Sequence, residues 1–296
     1  MALHDGLGAR AAVSTVASDW TPSARELERR AVRRRLRHRS ILIAVGITVV
    51  VFGALWVVTV TSPGWPNVKT TFLSSHDAKA SFHEIAKGFW INVRMFVVAE
   101  PLILVLAILV ALTRNSVTPW LTPVRFVAII YTDVFRGLPS LLVVYLLVFG
   151  VPALELTGLP TSRVVLGTIA LILCYGAYVA EVVRAGIDSI HPSQISSAEA
   201  LGLSRTQTTV HVVLPQALRR MTPPLINDFV SLQKDTCLVA SVGVFEGLFA
   251  AQDYGNYHFN YTPFLVTGLF FLAMTIPLAR FTDWLAHRAR IRERGR

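Results

Sequence analysis

Charge is scarce in this chain. Asp, Glu, Lys and Arg make up 16% of its 296 residues, where a soluble domain carries about 25%. That deficit comes with 53% hydrophobic residues, a mean hydropathy of +0.54 and several long apolar runs. Together they exclude an ordinary soluble domain and indicate an integral membrane protein. Cysteine is nearly absent: Cys174 and Cys237 are the only two. Both fall in apolar runs and read as small buried hydrophobes rather than as a disulfide. No Cys/His cluster has metal-ligand spacing, and no Gly-rich loop ends in Gly-Lys-Ser/Thr. The chain is therefore expected to hold neither a metal nor ATP itself. No nucleophile, base and orienting group stand together, so no catalysis is assigned, and His191 and His211 read as surface residues. Aromatics are almost missing among the arginines of 25–39, which argues against a nucleic-acid partner despite the net charge of +10.

What is present is a series of apolar runs. A crossing helix needs about 20 mostly apolar residues. Six candidates meet or approach this length: 41–60, 89–112, 138–151, 164–183, 225–245 and 264–284. The third is short unless the amphipathic stretch 124–135 tilts into it. Trp65-Pro66 and Pro119-Trp120 suit interfacial belts and turns. The first run is longer than the roughly 7–15 apolar residues of a signal peptide and begins after forty residues, so it reads as a retained helix. Residues 1–24 read as a disordered tail.

Lys and Arg set the orientation. With the N-terminus in the cytoplasm, 22 of the 28 fall in cytoplasmic segments and three, Lys69, Lys79 and Lys87, fall outside. Six crossings then return the basic C-terminus to the cytoplasm.

Between the fourth and fifth runs lies a polar, basic stretch. Pro192 suits the first turn of a helix, and Gly202 suits a left-handed residue at its end. Ser204 and Gln207 form a capping-box pair for a second helix, which Pro215 is expected to interrupt near Val213. The result is a helix-turn-helix outside the membrane. Ile195, Ala198 and Leu201 share one face at helical spacing, and the small residues Ala198 and Ala200 would let this helix sit deep in a partner's groove.

The motifs of this region carry a resemblance. Ser196-Ser197-Ala198, three residues, Gly202, nine residues, Val212, one residue and Leu214-Pro215 follow the spacing of the coupling loop of ABC importer permeases. That loop reads Glu-Ala-Ala, three residues, Gly, nine residues, Ile, one residue, Leu-Pro. Asp133-Val134-Phe135-Arg136-Gly137-Leu138-Pro139, Glu181 to Ile187 and Lys234-Asp235-Thr236-Cys237-Leu238 stand in the order of the same family. Over 88–284 the chain resembles the polar amino-acid (histidine/glutamate-type) subfamily of type I ABC importer permeases. Ser193 and Ser196 depart from the family's Gly and Glu. A Glu at 196 could pair with a basic residue of an ATPase; Ser cannot.

The resemblance implies an all-α polytopic membrane protein of six transmembrane helices, a five-helix permease core over 88–285 with one added N-terminal helix at 41–60. The remaining segments are a basic cytoplasmic tail, 1–40, an extracytoplasmic linker, 61–87, and a second basic tail, 286–296. It implies a multi-pass subunit in a prokaryotic cell membrane, taking polar amino acids from an extracytoplasmic solute-binding protein. Partners would be ABC ATPase subunits, a second permease, identical or paralogous, and membrane lipid. ATP and Mg would sit on the ATPase, with no cofactor on this chain. Gln194, Ser196, Ala198, Ala200, Gly202, Leu203, Leu214 and Pro215 are the implied ATPase-coupling residues.

Ionisable groups within spans cost about 2.5–3.5 kcal/mol each on insertion scales, so they are functional candidates by default. Glu100 precedes Pro101 in mid-span. It reads either as a pathway carboxylate for an ammonium group or as the partner of Arg94 in an ion pair. Asn227, Lys234 and Thr236 are further pathway candidates, although Lys234 and Asp235 more readily read as a buried pair. Glu181 and Arg184, one turn apart, read as a local ion pair. An ion-coupled transporter or channel using Glu100 and Lys234 is the alternative reading, weakened by the lack of an inverted repeat.

Overall fold

Helix α1, Ala24–Val60, begins where Ser23 accepts a hydrogen bond from the Glu26 N–H. Its first half is arginine-rich and its second half is Val, Ile and Leu, with none of its residues buried. The computed structural model describes residues 23–116 and 118–294. The tail expected to be disordered therefore lies, but for Ser23 and Ala24, outside the described residues. The chain divides into two compact units, Met1–Asn67 and Val68–Arg296. Helix α2, Trp65–Phe72, carries the division.

The second unit is built from α3 (Ser75–Asn115), α4 (Thr122–Gly137), α5 (Ser140–Ala153), α6 (Arg163–Asp188), α7 (Pro192–Ala200), α8 (Arg205–Thr208), α9 (Leu214–Asp235), α10 (Gly247–His258) and α11 (Thr262–Arg294). No strand occurs among the described residues. Helix α6 is central and packs on α3, α4, α5 and α9. Its buried side is largely small, with Gly167, Ala170, Cys174, Gly176, Ala177 and Ala180 all covered. Small residues let helices approach closely where lipid gives no hydrophobic push between them.

Four stretches are long and apolar enough to cross a membrane: α1, Trp65–Asn115, α6, and α11 over Thr262–Trp284. The third expected run is not a stretch of 124–135 tilting smoothly into 138–151. Residues Pro119–Gly137 and Ser140–Ala153 form a broken pair bent by 108°. The break falls at Leu138-Pro139, where proline disfavours the helical conformation of the residue before it.

The fifth expected run, 225–245, is not one helix either. Helix α9 stops at Asp235, a 3-10 turn covers Thr236–Val242, and Gly243 takes a left-handed φ of 78°. Broken backbone at this depth needs protein cover rather than lipid. Here Thr236, Val239, Ala240 and Val242 are buried. The Asn92 side chain stitches the break together. Its amide nitrogen donates to Thr236 Oγ1 at 3.1 Å, and its oxygen accepts from the Gly247 N–H at 3.1 Å. The fully buried Glu246 caps α10, accepting from the Phe249 N–H at 2.8 Å.

Helix α3 can pass this break only because residue 88 is glycine. A Cβ there would lie 2.6 Å from the Glu246 carbonyl carbon and oxygen, which are backbone atoms with nowhere to move. We expect Gly88→Ala to cost about 1–3 kcal/mol by overpacking. Gly150→Ala, whose Cβ meets nothing within 4 Å, should be neutral or slightly stabilising. Melting of the detergent-solubilised protein checks both, and equal melting points would show that the α3–α10 approach does not constrain the fold.

Candidate functional site

The polar stretch after α6 folds as a braced module. His191 caps α7, its ring nitrogen accepting from the Ser193 N–H at 3.2 Å, and Pro192 takes the first turn. Gly202 closes the helix with φ 84°, a conformation that a side chain would strain. The Ser204–Gln207 capping box is formed in both directions, at 3.3 and 2.9 Å. Pro215 does not interrupt the helical course of the chain here. A π-turn, Thr209–Val213, precedes it, the Leu214 N–H donating to the Thr209 carbonyl, and Pro215 stands in the first turn of α9.

The expected shared face of Ile195, Ala198 and Leu201 is split. Ala198 is 4% exposed and packs inward, whereas Leu201 is 83% exposed. Ile195 rests on a small core of Ile190, Val213, Ala217 and Met221. Ala198 therefore seats α7 on its own chain and is not available to a partner's groove. Gln194, Ser196, Ala200, Gly202 and Leu214 are exposed, and Leu203 and Pro215 are half-buried. Arg220 on α9 also donates to the carbonyl of Ser189, which caps the end of α6.

About two turns before the end of α6, which leads into this module, Glu181 gathers three arginines. Arg114 at the end of α3 donates to it at 2.8 Å, Arg136 at the end of α4 lies 3.5 Å away, and Arg184 pairs with it along α6. The local Glu181–Arg184 pair is thus one arm of a larger cluster. Arg114 also donates to the buried Thr132 hydroxyl at 2.9 Å, and Arg184 reaches Asp188.

The charges of the interior pair differently from the sequence expectation. Arg94 and Glu100 form no ion pair. Lys234 is exposed, and Asp235 accepts instead from the Tyr175 hydroxyl at 2.7 Å. Thr236, fully buried, donates to the Gln233 carbonyl at 2.8 Å and so lines no open path. Asn227 is exposed. Glu100 is half-buried on α3, close enough to Asp228 on α9 for their charges to interact. Asp228 Oδ2 is buried without a hydrogen-bond partner.

A family model described as the inner membrane component of binding-protein-dependent transport systems matches residues 103–291. The chain belongs to that family. Among curated relatives, the arginine transport system permease protein ArtQ of Bacillus subtilis is 31% identical over 195 residues, 66% of this chain and 87% of its own. The probable glutamine ABC transporter permease protein GlnM of the same organism is 29% identical over 209 residues, 70% of this chain and 94% of its own. A crystal structure of an amino acid ABC transporter with histidines superposes with a TM-score of 0.64 at 25% identity, covering 73% of this chain and 98% of that one.

The chain is accordingly a multi-pass inner membrane protein and a permease subunit of an ABC transporter, a class that works with ATPases and binding proteins. Several of its structural residues escaped the sequence reading. Arg114 and Arg136 were legible only as orientation charges, although basic residues at two span ends opposite a span carboxylate are the signal for such a cluster. Asn92, Tyr175 and Gln233 carried no local pattern, because their partners lie 42 to 155 positions away in the chain.

Glu181→Gln would leave three guanidiniums facing one another without their anion. We expect a loss on the order of 2 kcal/mol, below the roughly 3–5 kcal/mol of a deeply buried pair because the cluster is partly solvated. Arg136→Gln removes the longest and most exposed arm and should cost under about 1 kcal/mol. Equal losses in thermal melts of the two variants would refute a cluster centred on Glu181.

Proposed function

We propose that this permease imports polar amino acids, delivered by an extracytoplasmic binding protein, as one of a pair of permease subunits driven by two ATPases. The observation that carries the coupling half of this reading is Leu201. It is a large apolar side chain, 83% exposed, held beside Gly202 on a capped helix whose inner face is anchored in the chain's own core. Such a knob on a rigid base suits the groove of another protein. Ser196, Ala200, Gly202 and Gln194 form its rim. ATP and Mg bind on the ATPase chain. Closure of the ATPases pushes α7, and the push passes through Ile190, Met221 and the Arg220–Ser189 bond into α6 and α9. The bundles then rock between outward and inward access, as rigid bodies.

The relatives named for arginine and glutamine transport support an amino-acid cargo. Glu100 and Asp228 supply negative charge in the interior for an ammonium group, or for a cationic side chain. The balance of Lys and Arg supports both termini facing the cytoplasm. No observation favours an ion-coupled carrier.

The complete complex in proteoliposomes should accumulate at least one polar amino acid in the presence of ATP. A full panel with no ATP-dependent uptake would overturn the reading. In the same assay Glu100→Gln should lower uptake, most strongly for cationic amino acids. An unchanged preference in a properly assembled complex removes Glu100 from the pathway.

Two variants separate coupling from folding. Leu201→Arg should insert and melt normally yet bind the ATPase about tenfold more weakly or worse, losing substrate-stimulated ATP hydrolysis. Ala198→Arg should lower the melting temperature first, because it forces a charge into the module's own packing. If Leu201→Arg hydrolyses ATP and transports like wild type, the coupling assignment fails.

Orientation has its own check. An impermeant thiol reagent on intact cells should reach a cysteine placed at Asp77 and not one placed at Ser204; labelling at Ser204 before lysis refutes the cytoplasmic placement.

A further inference from the structure

A groove of about 530 Å3 runs down the flank of the bundle between α3 and α6. One wall presents Ile91, Val98 and Leu102, the other Val165, Ile169 and Ile172. Both sets recur at helical spacing, so the groove follows the helix axes. From residue 91 to residue 102 a helix rises about 16 Å, close to half of a hydrocarbon core about 30 Å thick. The groove is thus apolar over about the depth of one leaflet.

Arg94 stands in the same lining, near one end. It is exposed and makes no ion pair or hydrogen bond with any described residue. A guanidinium within a span is costly unless an anion answers it. Ser162 lines the groove as well, at the N-terminal boundary of α6, and its hydroxyl forms no capping bond. The lining holds no carboxylate. An amino acid would find a partner for its carboxylate here but none for its ammonium, and its polar body would face an apolar wall. A molecule with an anion at one end and a hydrocarbon chain one leaflet long satisfies both halves.

We propose that this groove binds an anionic phospholipid, its phosphate on the Arg94 guanidinium and the Ser162 hydroxyl, and one acyl chain lying between α3 and α6. Arg94 is then matched not by Glu100 within the protein but by the membrane itself. Guanidinium and phosphate form charge-assisted, frequently bidentate hydrogen bonds, and basic pockets between transmembrane helices are a recurring headgroup site.

The test uses the complete permease–ATPase complex in mild detergent, titrated with phosphatidylglycerol or phosphatidylcholine and read by native mass spectrometry. Wild type should retain one phosphatidylglycerol per permease chain, in preference to phosphatidylcholine. Arg94→Gln should lose about tenfold in that affinity, the worth of about one charge-assisted bond, and Arg94→Lys should recover part of it. Val98→Trp, which fills the groove and leaves the charge in place, should lose the lipid too. If Arg94→Gln fails to assemble, Val98→Trp decides. Equal retention by wild type and Val98→Trp, or equal binding of the two lipids, overturns the proposal. So does a photo-crosslinker at Val98 that yields permease–permease adducts in place of lipid adducts, because a second copy then covers the groove.

Discussion

The architecture turns on one carboxylate. Glu181 lies where three helices end or pass: Arg114 closes α3, Arg136 closes α4, and Arg184 continues α6 toward the α7 module. Three cations cannot share that space without an anion between them, and one anion there ties the ends of α3 and α4 to α6. The cluster is centred on α6, the helix that leads into the module proposed to meet the ATPase. On the proposed coupling role, displacement of α7 would meet first the apolar brace beneath it and then the Glu181 cluster. Such motion would then reach α3, α4 and α6 together, because the cluster joins all three.

A second constraint lies deeper, where α9 gives way to a 3-10 turn and α10. Backbone that leaves the helix inside a membrane must find its hydrogen bonds in protein. Asn92 supplies a donor and an acceptor at once, to Thr236 and to the Gly247 N–H, while Gln233 accepts from the Thr275 hydroxyl at 2.5 Å. Helices α3, α9, α10 and α11 are thus joined by one buried polar network, and Gly88 leaves room for it. This network accounts for the burial of Thr236.

The legible parts of the chain were those with local causes. The capping box at Ser204 and Gln207, Pro192 in a first turn and the left-handed Gly202 each arise from residues within four positions of one another, and each is present. The family motif was legible for the same reason. What failed were inferences about the far side of a contact. Helical spacing put Ala198 and Leu201 on one face, but the helix ends between them, so one turns inward and the other outward. Lys234 and Asp235 are adjacent in the chain and suggested a pair, yet Tyr175 takes the carboxylate from 60 positions away. Hydropathy gave 225–245 as one run, because averaging over a window cannot see that the α-helix stops at Asp235, gives way to a 3-10 turn and ends at the left-handed Gly243.

The π-turn at Thr209–Val213 has a consequence for how this module compares with others of its kind. A π-turn holds one residue more than an α-turn, and one residue corresponds to about 100° of rotation about the helix axis. The angular phase of α7 and α8 relative to α9 is therefore set by a single residue upstream of Leu214-Pro215. A permease with one residue fewer here would keep its Leu-Pro landmark and its helix lengths. It would nonetheless present a different azimuth of the same helix, so on the proposed coupling role compatibility between permeases and ATPases would shift through one insertion without any change in the residues that touch.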